Sequence, residues 1–494
     1  MILSCSMNFH TIPICLRHNM SNLDLKTASI DTLVKAMRKQ ELSPVELVNW
    51  YLERIEKLNP VLNSYITVCA DEAREQARKA EALLANKAET GPLVGVPIAL
   101  KDQIFTKGIR TTNGSLYYKD HIPTEDATVV TKLKDAGAII IGKANMSEFA
   151  LGGTRKYPYG TPRNPWDLDR DPGTSSAGSG SAVSARLCAA SLGEDTGGSV
   201  RGPAGHCGVV GIRPTYGRIS RHGFFGAVWF TDTIGPITTC VEDNALMVRT
   251  ISGKDSKDVT TKPIPVPNYT EGLGKSIKGL RIGILKEYME HEGLDSEVRT
   301  VVEAATEVFR EAGASVKTVS VPFVSRSGPV FIALADSEAA AATDHVLRDN
   351  SAILDSATRT RLLAGSLTPS YIYHRALRAK AMLTNQFHAA LKDVDILISP
   401  TQPTAAPLIE TGEKVFSSAE DVAKRLHTHR SFCASFAMAA LPAISIPCGL
   451  TPNGLPVGLH LAGRPFEEEV LFQAGYAYQE TTQWNKSLPP LAVS

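Results

Sequence analysis

A chain of 494 residues can enclose a large core, and by length alone could form two or three domains. Its 52 basic and 51 acidic residues leave a formal net charge of +1, with no long basic run, which argues against a nucleic-acid-binding surface. Eight cysteines, several in apolar runs and none in a Cys-x-x-Cys, fit reduced core thiols in a cytoplasmic protein better than a secreted disulfide scaffold.

Residues 1–20 mix apolar and polar side chains around Cys5, Pro13 and Cys15. No cationic start precedes an apolar core, so a secretory leader is not expected. The segment reads as an N-terminal extension and a candidate for disorder, with Met20 as an alternative start. Ser43-Pro44-Val45-Glu46 is a capping box with proline at the first helical position. Leu47, Tyr51, Ile55 and Leu58 then share one face, which predicts a helix to about Leu58. Asp71–Leu84 is a second helix, rich in alanine and charge.

Val94-Gly95-Val96-Pro97-Ile98-Ala99-Leu100-Lys101 reads as a buried strand that ends on a lysine. Lysine is rarely buried without a partner. Desolvation beside polar groups lowers its pKa and frees the neutral amine to act as a base. Moving it from its usual value to near 7 or 8 costs on the order of 4 kcal/mol, which the fold must supply. Thr128–Asp135 reads as a helix stopped by Gly137, and Ala138–Ile141 as a strand before Lys143.

The segment Asp171–Arg201 holds two clusters of glycines and hydroxyls, Gly173–Ser181 and Asp195–Arg201. Between them, Ala182–Leu192 reads as a short, tightly packed helix leading into a buried strand. Glycines leave main-chain amides free to face a ligand, and hydroxyls beside bare N–H groups are what acyl transfer requires.

Lys254–Ser276 is a proline-bearing connector. Leu280–Leu285, Glu297–Ala312 and Ser315–Val321 follow as a peripheral strand–helix–strand unit. Ser431–Gly463 contains no Asp, Glu, Lys or Arg, but four prolines forbid a continuous membrane helix. It reads as core: a short helix, then strand Ala443–Ile446, a turn at Asn453-Gly454 and a return strand. The alternation of helices and apolar strands implies an α/β fold with a central, mixed but mainly parallel sheet covered by helices.

No Gly-x-Ser-x-Gly elbow, Walker A or Rossmann glycine pattern occurs. His427 and His429 would face different sides of a helix, so neither a metal nor another cofactor is expected. His206-Cys207 is better read as a packed cysteine than as a dyad.

Lys101-Asp102, Gly173-Thr174-Ser175-Ser176-Ala177-Gly178-Ser179 and Asp195-Thr196-Gly197-Gly198-Ser199-Val200-Arg201 together resemble the amidase signature family. Asn164-Pro165-Trp166-Asp167, Gly208–Pro214 and Gly454–Leu459 extend the resemblance from about Asn22 to the C-terminus. It implies one α/β domain over residues 21–494. It further implies Ser199 as nucleophile, Ser175 as the bridging serine behind a cis peptide bond, and Lys101 as base. The backbone amides of Thr196, Gly197, Gly198 and Ser199 would form the oxyanion hole. Thr174 and Ala177 stand where the family usually has glycine, and both would narrow the pocket.

The leading reading is an amidohydrolase acting through an acyl-enzyme on linear amides, extending to esters and carbamates as in urethane-cleaving members. The expected partner is a small amide or carbamate substrate, with no nucleic acid and no membrane; a homodimer is left open. The competing reading is a glutaminase-type A subunit of a tRNA-dependent amidotransferase, with Lys380 near the place of its glutamine-recognising arginine. A catalytically dead scaffold is the third reading, and retention of Lys101, Ser175 and Ser199 speaks against it.

Overall fold

The computed structural model describes residues 23–154, 156–410, 418 and 432–493; the N-terminal extension, Cys5, Cys15, His427 and His429 lie outside them. Eleven strands form one sheet. They are β1 (Tyr65–Val68), β2 (Pro97–Lys101), β3 (Ile139–Ala144), β4 (Ala190–Glu194), β5 (Val210–Arg213), β6 (Ile234–Thr238), β7 (Arg281–Leu285), β8 (Ser315–Val319), β9 (Ile396–Pro400), β10 (Ala443–Leu450) and β11 (Pro456–Gly463). Their spatial order is β1-β3-β2-β4-β6-β5-β10-β11-β9-β7-β8.

The α/β class and the mixed sheet are as expected, but the balance of directions differs. Parallel pairing is confined to β3-β2-β4 and β9-β7-β8. The centre and the β1 edge are antiparallel. The physical reason is the connections. The β10–β11 hairpin turns within five residues at Gly454, too short for a parallel crossover.

Local signals fix the helices. The Ser43 hydroxyl accepts from the N–H groups of Val45 and Glu46 at 3.0 and 3.4 Å, and the Ser43 N–H donates to Glu46 Oε2 at 3.1 Å. This helix, Pro44–Leu62, runs a turn beyond the expected end because Leu62 is fully buried, and Asn63 closes it in the left-handed conformation. The unit β7–helix Ser296–Glu311–β8 sits at the sheet edge. Two apolar clusters line the sheet. One gathers around β2, β3 and β4; the other gathers around β7, β9, β10 and β11. The six cysteines among the described residues are all buried and free.

The small-residue stretch departs from expectation. Its helix is Ala177–Ser184, starting inside the glycine cluster, and β4 begins at Ala190. All eight residues of that helix are buried. A Cβ on Gly178 would lie 2.3 Å from the Ser64 carbonyl oxygen and 2.4 Å from the Asn145 nitrogen, so the helix packs directly against foreign backbone. A stretch so rich in glycine and serine has no apolar stripe from which its register can be read. Gly178→Ala is therefore expected to destabilise by about 1–3 kcal/mol or more through overpacking. Gly272→Ala, where a Cβ meets nothing within 4 Å, should stay within about 0.5 kcal/mol of the parent. Thermal or chemical denaturation of the two variants checks this.

Candidate active site

Lys101 is the last residue of β2, flanked by the parallel strands β3 and β4, and is fully buried. Its Nζ lies 2.7 Å from Ser175 Oγ, 3.1 Å from Glu194 Oε2 and 3.3 Å from the Glu194 carbonyl oxygen. Burial pushes the Lys101 pKa down, and the neighbouring Glu194 opposes the shift. The Thr174–Ser175 bond is cis, as the resemblance implied. The next residue joins the two hydroxyl clusters: the Ser176 N–H donates to the Ser199 carbonyl at 3.3 Å, and the Ser176 hydroxyl donates to the Glu194 carbonyl at 3.2 Å. Lys101, Ser175 and the Ser199 turn are thus gathered at the ends of adjacent strands.

The turn carrying Ser199 is built on Asp195. Asp195 Oδ1 accepts from the Gly198 N–H at 2.8 Å and from Arg201 Nη2 at 2.9 Å. Its Oδ2 accepts from the Val200 N–H at 3.2 Å and from Arg201 Nε at 3.0 Å. Arg213 Nη1 donates to the Asp195 carbonyl. Burial pushes the Asp195 carboxyl up, but Arg201 and Arg213 outweigh it and hold the group well below the usual carboxylate range. The Gly198 amide, which the resemblance implied for an oxyanion hole, is committed to Asp195. Gly197 cannot be replaced freely, since a Cβ there would lie 2.5 Å from Phe331 Cζ.

A cavity of about 110 Å³ opens over this turn, bordered by Thr174, Thr196, Gly197, Gly198 and Ser199. Phe331, Ala335, Arg361 and Gln402 also line it. Through Ala227 and Val228 it adjoins a wider, open cavity of about 510 Å³ that includes Arg221, Trp229 and Glu338. The cation on the inner wall is Arg361, which is ion-paired with Asp336 and donates to the Leu151 carbonyl. Lys380 does not line it; its Nζ sits 5.4 Å over the Phe230 ring.

Three groups were not singled out from the sequence. Glu194 is buried against Lys101, and Asp232 is joined to it through the Thr196 hydroxyl, which lies 2.7 Å from Glu194 Oε1 and 2.9 Å from Asp232 Oδ1. An acidic residue closing an apolar strand was a usable signal for Glu194; Asp232 and Arg361 carried none. Asp102, beside the candidate base, is an anchor: its Oδ2 accepts from the Thr112 N–H and hydroxyl at 2.8 and 2.5 Å, and Lys143, also fully buried, lies 3.6 Å from its Oδ1. Cys207 is packed, with Sγ 3.3 Å from the Pro172 carbonyl. Among the described residues, no cluster of three potential metal ligands occurs, and no helix is long and apolar enough to cross a membrane.

A family model described as Amidase matches residues 46–472. The A subunit of the glutamyl-tRNA(Gln) amidotransferase from Rippkaea orientalis is 39% identical over 488 residues, covering 94% of this chain and 100% of that protein. The solved structure of the protein of that name from Thermotoga maritima superposes with a TM-score of 0.80 at 32% identity, over 95% of this chain and 99% of that one. A peptide amidase from Stenotrophomonas maltophilia gives a TM-score of 0.81 at 28% identity, over 94% of this chain and 98% of that one. The expectation that nucleic acid has no part in this protein's setting is corrected by the first two likenesses, since those proteins are named for an enzyme that acts on a tRNA. The physical reason is that charge balance speaks only about the surface of this chain. It is silent on an assembly in which a different polypeptide presents the basic face.

Asp195→Asn would leave Arg201 and Arg213 buried without their counter-charge, at a cost of about 3–5 kcal/mol in unfolding free energy. Since the folded-state pKa of Asp195 is depressed, its stabilisation is present above the ordinary carboxylate pKa and is lost as pH falls below it. Denaturant titrations at pH 7 and pH 3 should show the difference between parent and variant narrowing at the lower pH.

Proposed function

This chain belongs to the amidase signature family, and from that premise we propose that Ser199 hydrolyses the side-chain carboxamide of glutamine or a similar small amino acid, in the manner of the glutaminase-type A subunit of a tRNA-dependent amidotransferase. The observation that carries the chemistry is the contact between the buried Lys101 amine and Ser175 at 2.7 Å, beside a cavity bordered by Ser199. Neutral Lys101 takes the proton of Ser175, and Ser175 takes that of Ser199 as its Oγ attacks the amide carbon. The amides of Thr196, Gly197 and Ser199 receive the developing oxyanion; a single donor of this kind is worth about 3 kcal/mol of barrier. The relay then reverses, protonating the leaving nitrogen so that ammonia departs and Ser199 remains acylated. Water repeats the sequence and releases the acid.

Two observations favour a glutamine-type substrate. Relatives of this name match nearly the whole chain at up to 39% identity. Arg361 lines the same cavity as the Ser199 turn, where its guanidinium would pair with a substrate carboxylate. The second reading is a self-sufficient amidase acting on small amides, esters or carbamates. The likeness to the peptide amidase supports it, as does the pairing of Arg361 with Asp336, which already partly neutralises that cation.

Ser199→Ala is expected to lower turnover at least about 10⁴-fold without changing the melting temperature. Lys101→Ala should lose nearly as much and recover in part at high pH, where hydroxide replaces the base. Steady-state assays of both variants decide whether this relay operates. Glutamine hydrolysis should appear when the chain is assembled with its amidotransferase partners; strong hydrolysis of anilides or carbamates by the isolated chain would favour the second reading. Arg361→Ala should raise KM for glutamine by about tenfold or more while sparing uncharged amides.

A further inference from the structure

Thr196 has one hydroxyl hydrogen and two carboxyl neighbours, Glu194 Oε1 at 2.7 Å and Asp232 Oδ1 at 2.9 Å. One O–H cannot donate to both, so if both carboxyls were ionised one of these contacts would be oxygen against oxygen. One proton on the carboxyl pair removes the conflict. Burial raises the Asp232 carboxyl too, but its Oδ2 accepts from the N–H groups of Ala227 and Val228 at 2.7 and 2.8 Å, and these bonds, together with Arg221, favour its ionised form over that of Glu194. Among the described residues no backbone N–H donates to the Glu194 carboxyl, whose other oxygen faces Lys101. The proton therefore belongs on Glu194 Oε1, donating to Thr196, which donates to Asp232.

The same count fits Lys101. A neutral amine has two hydrogens and one lone pair, and Lys101 has three close neighbours. Two are acceptors on Glu194, its Oε2 and its carbonyl oxygen; the third is the Ser175 hydroxyl, which can donate into the lone pair. Each hydrogen from Ser175 to Asp232 then has one acceptor.

We propose that the proton relay does not end at Lys101 but continues through Glu194 and Thr196 to Asp232, with Glu194 holding a proton at rest and yielding it when Lys101 becomes an ammonium. This rests on the reading that Lys101 serves Ser199 through Ser175. As Ser199 attacks, Lys101 gains a proton from Ser175. The Glu194 O–H bond breaks as its proton passes to Thr196 Oγ1, and the original Thr196 hydroxyl proton passes to Asp232. The ammonium then faces a carboxylate, and Asp232 is neutral. Protonation of the leaving nitrogen reverses every step, so no proton is gained or lost. Lys101 from β2, Asp195 just after β4, Arg213 from β5, and Arg221 and Asp232 from the segments before β6 are the charged groups surrounding the chain of bonds. Burial raises the Glu194 carboxyl, and Lys101 opposes the shift. Glu194 is a positioning residue here, since it acts on the substrate only through Lys101.

Glu194→Gln reproduces the resting hydrogen bonds but can neither release a proton nor become anionic. It should lower kcat by roughly tenfold or more. The acidic limb of the kcat/KM profile should also move to lower pH, because the amine without a nearby carboxylate is harder to protonate. Thr196→Val, which cuts the link to Asp232 and keeps the backbone amide, should act in the same directions. The double variant should lose no more than the worse single one. Wild-type kcat with an unmoved acidic limb in Glu194→Gln, or losses that simply add, would overturn the proposal. If Glu194→Gln does not fold, the limb shift of Thr196→Val alone decides. The failures are separable: an active Ser199→Ala enzyme removes the underlying mechanism, whereas an inactive Ser199→Ala beside a fully active Glu194→Gln removes only the extension.

Discussion

Everything in the site depends on an amine held out of water. Lys101 is fully buried, and three parallel strands bring it against Ser175 and Glu194. An ammonium in that position would be costly, so the neutral form that a base requires is favoured by the packing itself. The expense of burying it is spread over the sheet: β3 places a second buried lysine, Lys143, against Asp102, and the turn after β2 is tied down through Thr112. The position of the Lys101 amine is thus a property of the β3-β2-β4 core and not of a loop.

The two acids that follow one another at the end of β4 show how strongly direction decides charge. Glu194 meets a buried amine and a hydroxyl, and its carboxyl is pushed up. Asp195 points the other way, into two guanidiniums and three backbone amides, and is pushed far down. Alternation along a strand separates the environments of adjacent side chains. One peptide step therefore divides a carboxyl whose protonated form is favoured by burial from a charged anchor for the Ser199 turn, and environments that push neighbouring carboxyls apart are a general means of assigning acid and base roles.

The sequence made some of this legible for identifiable reasons. The Ser43 capping box, the apolar approach to Lys101 and the paired glycine clusters are local signals, and each has its counterpart in the structure. The register of helix Ala177–Ser184 was not readable, because glycine and serine leave no face to distinguish. The dominance of antiparallel ladders was hidden in connections whose partners lie far apart in the chain. Arg361 was invisible for another reason: it lies near Arg359 on helix Ser356–Ser366, far from Ser199 along the chain, and only the fold brings both to one cavity. Lys380, placed there by approximate position along the chain, packs on Phe230 instead.

The cavity draws its two sides from different stretches of polypeptide. Lys101, Ser175, Glu194, Ser199 and Asp232 all fall before residue 233, whereas Phe331, Ala335, Arg361 and Gln402 all come after residue 330. The earlier stretch also lines the cavity, through Ala150, Leu151, Gly152, Ala227 and Val228. Substitutions confined to the later stretch would thus reshape one part of the wall and leave the proposed proton-transfer groups untouched, so that fit can drift in part without disturbing the proposed chemistry.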